Sequence, residues 1–175
     1  DFCLSRGLGD VYKRQQNDET ALQWYTLAAE QGYAKAQFNL GVMYDKGQGV
    51  PQNDETAVKW FRLAAEQGLA RAQTNLGAMY LKGRGVPQND ETAMKWFRLS
   101  AGQGDARAQT GLGAIYAIAL KDYVYAHMRG TVAAMNGDKS GAKLFDEIKG
   151  KMTPADISAA QKLTRECIRK NYKGC

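Results

Sequence analysis

The hexapeptide QNDETA begins at Gln16, returns at Gln52 and returns again at Gln88, an interval of 36 residues each time. Self-similarity at a fixed interval of about 20 to 50 residues is the mark of stacked supersecondary units rather than of a single globular core. The copies align without a gap. QNDETALQWYTLAAEQGYAKAQFNLGVMYDKGQGVP runs from Gln16 to Pro51, and QNDETAVKWFRLAAEQGLARAQTNLGAMYLKGRGVP from Gln52 to Pro87. A third copy, QNDETAMKWFRLSAGQGDARAQTGLGAIY, runs from Gln88 to Tyr116.

Each copy divides into two helical segments. Asn53 and Asp54 supply short acceptors and negative charge where the first N–H groups of a helix lack partners, and Ala57, Trp60, Phe61 and Ala64 then recur at helical spacing. Gly68 ends this outer helix, as Gly32 and Gly104 do in the other copies, because a C-terminal cap usually needs positive φ. The second segment carries Ala72, Leu76, Met79 and Tyr80 on one side, with Gly77 allowing close helix contact. KGRGVP then forces a turn through Gly83, Gly85 and Pro87. A helix pair of this size does not cover its own aromatic face, so Trp24, Trp60 and Trp96 are expected to be buried by neighbouring pairs. Glu55, Lys59, Arg62 and Glu66 fall at spacings that pair opposite charges along the outer helix, which reads as ordinary helix support.

The pattern A-x-x-W-F-x-x-A-A-E-Q-G-x-A-x-A-Q-x-N-L-G-x-M-Y-x-x-G-x-G-V, from Ala57 to Val86, resembles the Sel1-like repeat, a relative of the tetratricopeptide repeat. The resemblance implies an all-α, right-handed α/α superhelix that binds a protein or peptide partner. It also implies that the helix bearing L-G-x-x-Y lines a concave groove. The groove positions then fall on Lys35, Phe38, Val42 and Asp45, on Arg71, Thr74, Ala78 and Leu81, and on Arg107, Thr110, Ala114 and Ala117. Frame positions such as Ala36, Leu40, Gly41 and Tyr44 match Ala72, Leu76, Gly77 and Tyr80, whereas Phe38/Thr74/Thr110 and Asp45/Leu81/Ala117 change, as a surface reading a non-periodic ligand would allow. Simple drift of exposed positions is the other reading. Lys35, Arg71 and Arg107 are basic in every copy, either as a clamp for an acidic segment or as a solubilising row. Two departures bear on the groove's curvature: Gln37, Gln73 and Gln109 stand where tetratricopeptide repeats usually have Trp, and the unit exceeds that family's length of about 34 residues.

After Tyr116 the period breaks. Residues 122–152 read as a degenerate fourth pair, in which Arg129 and Gly130 replace Trp60 and Phe61, so weak packing is expected there. TPAD then announces a capping helix, with Thr153 as N-cap, Pro154 in the first turn and Asp156 as capping-box acid. Its apolar stripe, Ile157, Ala160, Leu163, Cys167 and Ile168, reads as a lid over the last pair. Lys162, Arg165, Arg169, Lys170 and Lys173 allow a second reading, a partner-binding or membrane-surface helix.

Charge supports that second reading only in part. The chain has 175 residues and a net charge of +6, and residues 121–175 hold 11 Lys/Arg against 6 Asp/Glu. Such a region serves either as a solvated surface or as a binder of nucleic acid or anionic surfaces. No run of about 18 apolar residues suggests a membrane span. Residues 1–15, DFCLSRGLGDVYKRQ, carry no initiator Met and no secretory signal, and read as a truncated repeat or a non-native segment with the natural start upstream. The compartment is therefore not legible.

Chemistry is sparse. Cys3, Cys167 and Cys175 have no metal-type spacing, and His127 is the single histidine, so no metal site, cofactor or His-based catalytic centre is expected. Cys167 and Cys175 either close a small loop or stay free. Relatives of the repeat have been discussed as β-lactam-binding, and a hydrolase is the weaker reading. The sequence predicts a non-catalytic adaptor.

Overall fold

The structure is a computed structural model that describes residues 17–119 and 121–172. Among these are nine helices and no strand: α1 (17–30), α2 (Ala34–Lys46), α3 (Asp54–Glu66), α4 (Ala70–Lys82), α5 (Asp90–Ala101), α6 (Ala106–Ile118), α7 (Tyr123–Met135), α8 (Lys139–Lys149) and α9 (Pro154–Arg169). They stack in chain order as a right-handed α/α solenoid. The segment 1–15 and the residues Lys173 and Cys175 lie outside the described residues.

Local chemistry sets the helix ends. Asn53 Oδ1 accepts from the Thr56 N–H at 2.8 Å, and Asn89 Oδ1 from the Thr92 N–H at 2.8 Å. Gly68 adopts φ +88° just after α3. At the other end of each unit, Gly85 has φ +66°, and a Cβ there would overlap the Asp54 carbonyl. The turn therefore needs glycine twice over, for its backbone region and for its approach to the start of α3.

Each unit's core is closed by its neighbours. Ala57, Phe61, Ala64, Ala65, Ala72, Leu76 and Met79 are buried between α3 and α4, with Phe38 and Val42 from the unit before and Trp96 from the unit after packed on them. Trp60 lies in the same way on the Ala29, Ala36 and Leu40 core. The expectation for the tryptophans is corrected here: Trp60 and Trp96 are half-buried, and Trp24 is 68% exposed. A tryptophan covers the unit preceding its own, and before α1 no unit lies within the described residues. The fully buried wedge is the next residue along, Phe61 or Phe97. A Cβ on Gly41 would come within 2.7 Å of the Phe61 ring, and one on Gly77 within 2.9 Å of Phe97, so the inner-helix glycines form the notches that receive the following unit.

Gln37, Gln73 and Gln109 form a buried polar ladder through the array. Their side-chain amides donate to the carbonyls of Ala29, Ala65 and Ala101 at 3.1–3.2 Å. Their carbonyl oxygens accept from Gln67 at 2.7 Å, Gln103 at 2.9 Å and Arg129 at 2.8 Å. Each thus bonds the outer helix of its own unit and the helix that follows, leaving no amide group unpaired in the interior.

The fourth pair is not loosely packed. Ala126–Gly130 are all buried. A Cβ on Gly113 would meet the Leu144 side chain at 2.7 Å, and one on Gly130 would meet the Phe145 backbone at 3.2 Å, so α8 fills the space that the missing aromatic vacates with the Leu144 side chain and its own backbone. α9 packs on α7, burying Ala160, Thr164 and Cys167, with Met128 and Val132 opposite. Ile168 of the expected stripe is instead exposed and Ile157 only half-buried. Thr153 and Asp156 form the reciprocal capping box. Cys167 is disulfide-bonded; Cys3 and Cys175 lie outside the described residues.

Candidate partner-binding face

α2, α4 and α6 carry the residues expected to line a groove, and the structure divides them into two sets. Phe38 and Thr74 turn toward the next outer helix, and Thr110 toward the start of α8. Phe38 stacks obliquely on Phe61 at 5.8 Å between ring centres. Thr74 is buried, its hydroxyl 2.7 Å from that of Ser100. Thr110 donates to Asp138 at 2.5 Å. Asp45 accepts from Arg84 at 2.8 Å, and Leu81 packs half-buried on the α5–α6 core. Ala117 is likewise half-buried. These side chains line the seams between units, so the variability of Phe38/Thr74/Thr110 reflects complementary changes across a seam; Thr74, for example, faces Ser100 where the other copies have Ala.

The second set stays outward. Lys35, Arg71 and Arg107 are exposed, and Val42, Ala78 and Ala114 are half-exposed beside them, Val42 and Ala78 also packing on the next unit's core. One turn further along the same stripe come Asn39 and Asn75, then the exposed Lys46, Lys82 and Ile118. The more exposed stripe of the inner helices is thus Lys35-Asn39-Val42-Lys46 and Arg71-Asn75-Ala78-Lys82; Arg107, Ala114 and Ile118 continue it, while Gly111 faces the Phe97 ring, which a Cβ there would meet at 2.7 Å. Asn39 and Asn75 are shared by the first two copies, and the third has Gly111 there. The signal that finds them is the period: from Lys35, steps of four, three and four follow one face as well as steps of three, four and three do, and only burial decides between them.

A small cleft of about 100 Å³ opens on this face, lined by Asp45, Asn75, Ala78, Lys82 and Arg84 above Phe61 and Met79. Arg84 organises its edge. Its guanidinium donates to both Asp54 carboxylate oxygens, at 3.1 and 2.6 Å, and to Asp45 at 2.8 Å. The Asp54 hydrogen bond chiefly, with Asp45, raises the Arg84 pKa against its partial desolvation. Both acids are thereby occupied, and no Asp or Glu stands on the stripe itself. The outer-helix pairs expected among Glu55, Lys59, Arg62 and Glu66 do not form; Arg62 instead donates to the Tyr80 hydroxyl at 2.8 Å.

Among the described residues no group of three or more His, Cys, Asp or Glu is placed to hold a metal ion, and no helix is long and apolar enough to cross a membrane.

Comparison with known proteins places these features in a family. The family model described as the Sel1 repeat matches residues 2–33, 34–69 and 70–105, and so takes in most of the N-terminal stretch read as truncated or non-native. The crystal structure of a Sel1 repeat protein from Oxalobacter formigenes is similar, with a TM-score of 0.71 and 38% identity, over 87% of this chain and 65% of that one. So is c5321, a protective antigen of uropathogenic Escherichia coli strains displaying an SLR fold, with a TM-score of 0.65 and 31% identity, over 86% of this chain and 41% of that one. The chain spans about two thirds or less of the length of these relatives. A search of curated proteins found no match. Sel1 repeats are generally protein-interaction scaffolds and typically non-catalytic. Repeat length, all-helical stacking and family match together show that this chain belongs to the Sel1 repeat family.

Proposed function

We propose that the chain is a scaffold that holds an acidic, extended segment of a partner protein along the exposed face of α2, α4 and α6. The observation that carries this reading is the stripe itself: Lys35, Lys46, Arg71, Lys82 and Arg107 are all exposed on it, and of these only Arg107 is paired among the described residues, with Asp105 at 3.4 Å beside the stripe. Asn39 and Asn75 stand between the cations, and an asparagine amide can both donate to and accept from a peptide backbone. The nearby acids Asp45 and Asp54 are held by Arg84 and leave the stripe's field positive.

The test uses the full chain and a fluorescent oligoglutamate peptide, with its oligoglutamine counterpart and a single-stranded oligonucleotide of equal charge as controls. The glutamate peptide is expected to bind and the glutamine peptide not to. Arg71→Glu with Lys82→Glu should weaken binding roughly tenfold or more, the scale of losing two charge-assisted contacts. Both residues are exposed, so the far-UV spectrum and melting should stay unchanged. Binding untouched by the double substitution, or preference for the oligonucleotide, overturns the reading. Thr74 is unsuitable as a probe because its loss would disturb the seam with Ser100.

A further inference from the structure

The strongest unexplained feature lies away from the repeats. α7, α8 and α9 line an open cavity of about 390 Å³, a size within the range of small-ligand pockets, about 300–1,000 Å³, and too small for a folded partner. Met135, Phe145, Ile157 and Ile168 give it an apolar wall, and two of them, Met135 and Ile168, remain exposed large hydrophobic side chains. His127 stands in the same wall, only 2% exposed, with neither Nδ1 nor Nε2 hydrogen-bonded. Its ring lies 4.5 Å from Phe145 between centroids, and the nearby Thr131 hydroxyl donates to the His127 main-chain carbonyl rather than to the ring. A buried imidazole whose two nitrogens both lack partners is uncommon and calls for an explanation.

The charges around it have one sign. Lys149 from α8 and Arg165 from α9 line the cavity beside His127 and Gln161, and among the described residues no Asp or Glu lines it. Desolvation, and secondarily the Lys149 charge, lower the His127 pKa, which keeps the ring neutral with one donor and one acceptor to offer. Apolar walls, two cations and an unused imidazole describe a recognisable complement.

We propose that the cavity between α7, α8 and α9 binds a small organic anion made of an apolar body and a single carboxylate. The apolar body lies against Phe145, Ile157, Met135 and Ile168. The Arg165 guanidinium and the Lys149 ammonium take the carboxylate at the mouth, Arg165 being suited to a two-pronged contact. The imidazole of His127 supplies the remaining polar contact from within the wall. This site is separate from the inner-helix face of the repeats, and either can fail without the other.

The single histidine makes the test direct, since all imidazole nitrogen signals of the chain belong to His127. The full chain under non-reducing conditions is titrated with octanoate, 1-octanol and octylammonium while imidazole ¹⁵N resonances are followed. Octanoate should shift these signals to saturation, whereas the alcohol and the cation should bind roughly tenfold more weakly or not at all. Arg165→Met, and independently Lys149→Met, should each weaken octanoate roughly tenfold; both side chains are exposed at the rim, so folding should persist. No change at His127 across the soluble range of octanoate overturns the site. Equal binding of all three probes also overturns it, showing an apolar gap only, as does octanoate binding that both substitutions leave intact.

Discussion

Trp60 and Phe61 are adjacent in sequence and both aromatic, yet they serve different roles. Phe61 is 1% exposed in the notch beside Gly41, while Trp60 lies half-buried over the preceding unit's core. Large-to-small changes in a packed core lose both transfer free energy and the contacts around the cavity left behind. Phe61→Ala is therefore expected to destabilise by roughly 3–5 kcal/mol in urea unfolding. Trp24→Ala, at a position 68% exposed, should change stability by no more than about 0.5 kcal/mol. Equal losses at the two positions would contradict this assignment of the wedge. The size and apolarity of tryptophan suggest the deeper role in the sequence, but which of two neighbouring aromatics enters the notch depends on the angle between successive pairs, which no single unit encodes. Gln73 illustrates the same limit: its place in the period is visible, whereas its bond to Gln103 exists only once two units meet.

At the scale of the element, helix starts and stops were legible because their chemistry is local. Asn53, Asn89 and Thr153 cap where the sequence places caps, since each needs only an acceptor near the next few N–H groups. The Thr153–Asp156 box carries a pH signature. Hydrogen bonds from the Thr153 hydroxyl and then its backbone N–H hold the Asp156 carboxyl below its ordinary pKa. A lowered pKa means that the stabilising contribution is fully present above the unfolded-state value, about 3.9, and disappears as pH falls through the lower folded-state value. The stability gap between the native chain and Asp156→Asn should accordingly be constant at neutral pH and close on acidification, as read by urea unfolding at stepped pH; a gap that stays constant into acid would contradict the box. The sequence was less informative about helix faces. Two stripes of α4 satisfy the helical period equally, Arg71-Thr74-Ala78-Leu81 and Arg71-Asn75-Ala78-Lys82, and burial by α5 selects the second as the outer one. Expected groove residues such as Thr74 and Leu81 thus belong to seams because the neighbour that covers them lies in the next unit.

For the whole molecule, the period of 36 residues determined the architecture, since no helix pair in this array closes its own core. What the period did not show is how the array changes character once it breaks. α7 keeps the alanine frame but trades the aromatic wedge for Arg129 and Gly130, and α8 answers with the Leu144 side chain at Gly113 and its backbone at Gly130, so contact persists by other means. The break also creates the cavity lined by His127, Lys149 and Arg165, between helices that no longer follow the repeat. The central claim is that stability resides in the seams, where an inner-helix glycine receives the next unit's phenylalanine. A double-mutant cycle in urea unfolding tests it most directly, with Gly41→Ala, Phe61→Ala and the pair. Because a Cβ on Gly41 would come within 2.7 Å of the Phe61 ring, the added methyl should destabilise the native background. In the Phe61→Ala background that penalty should vanish or reverse, giving a coupling energy of about 1 kcal/mol or more, whereas additive effects would show that the two residues do not share a seam and would contradict the account.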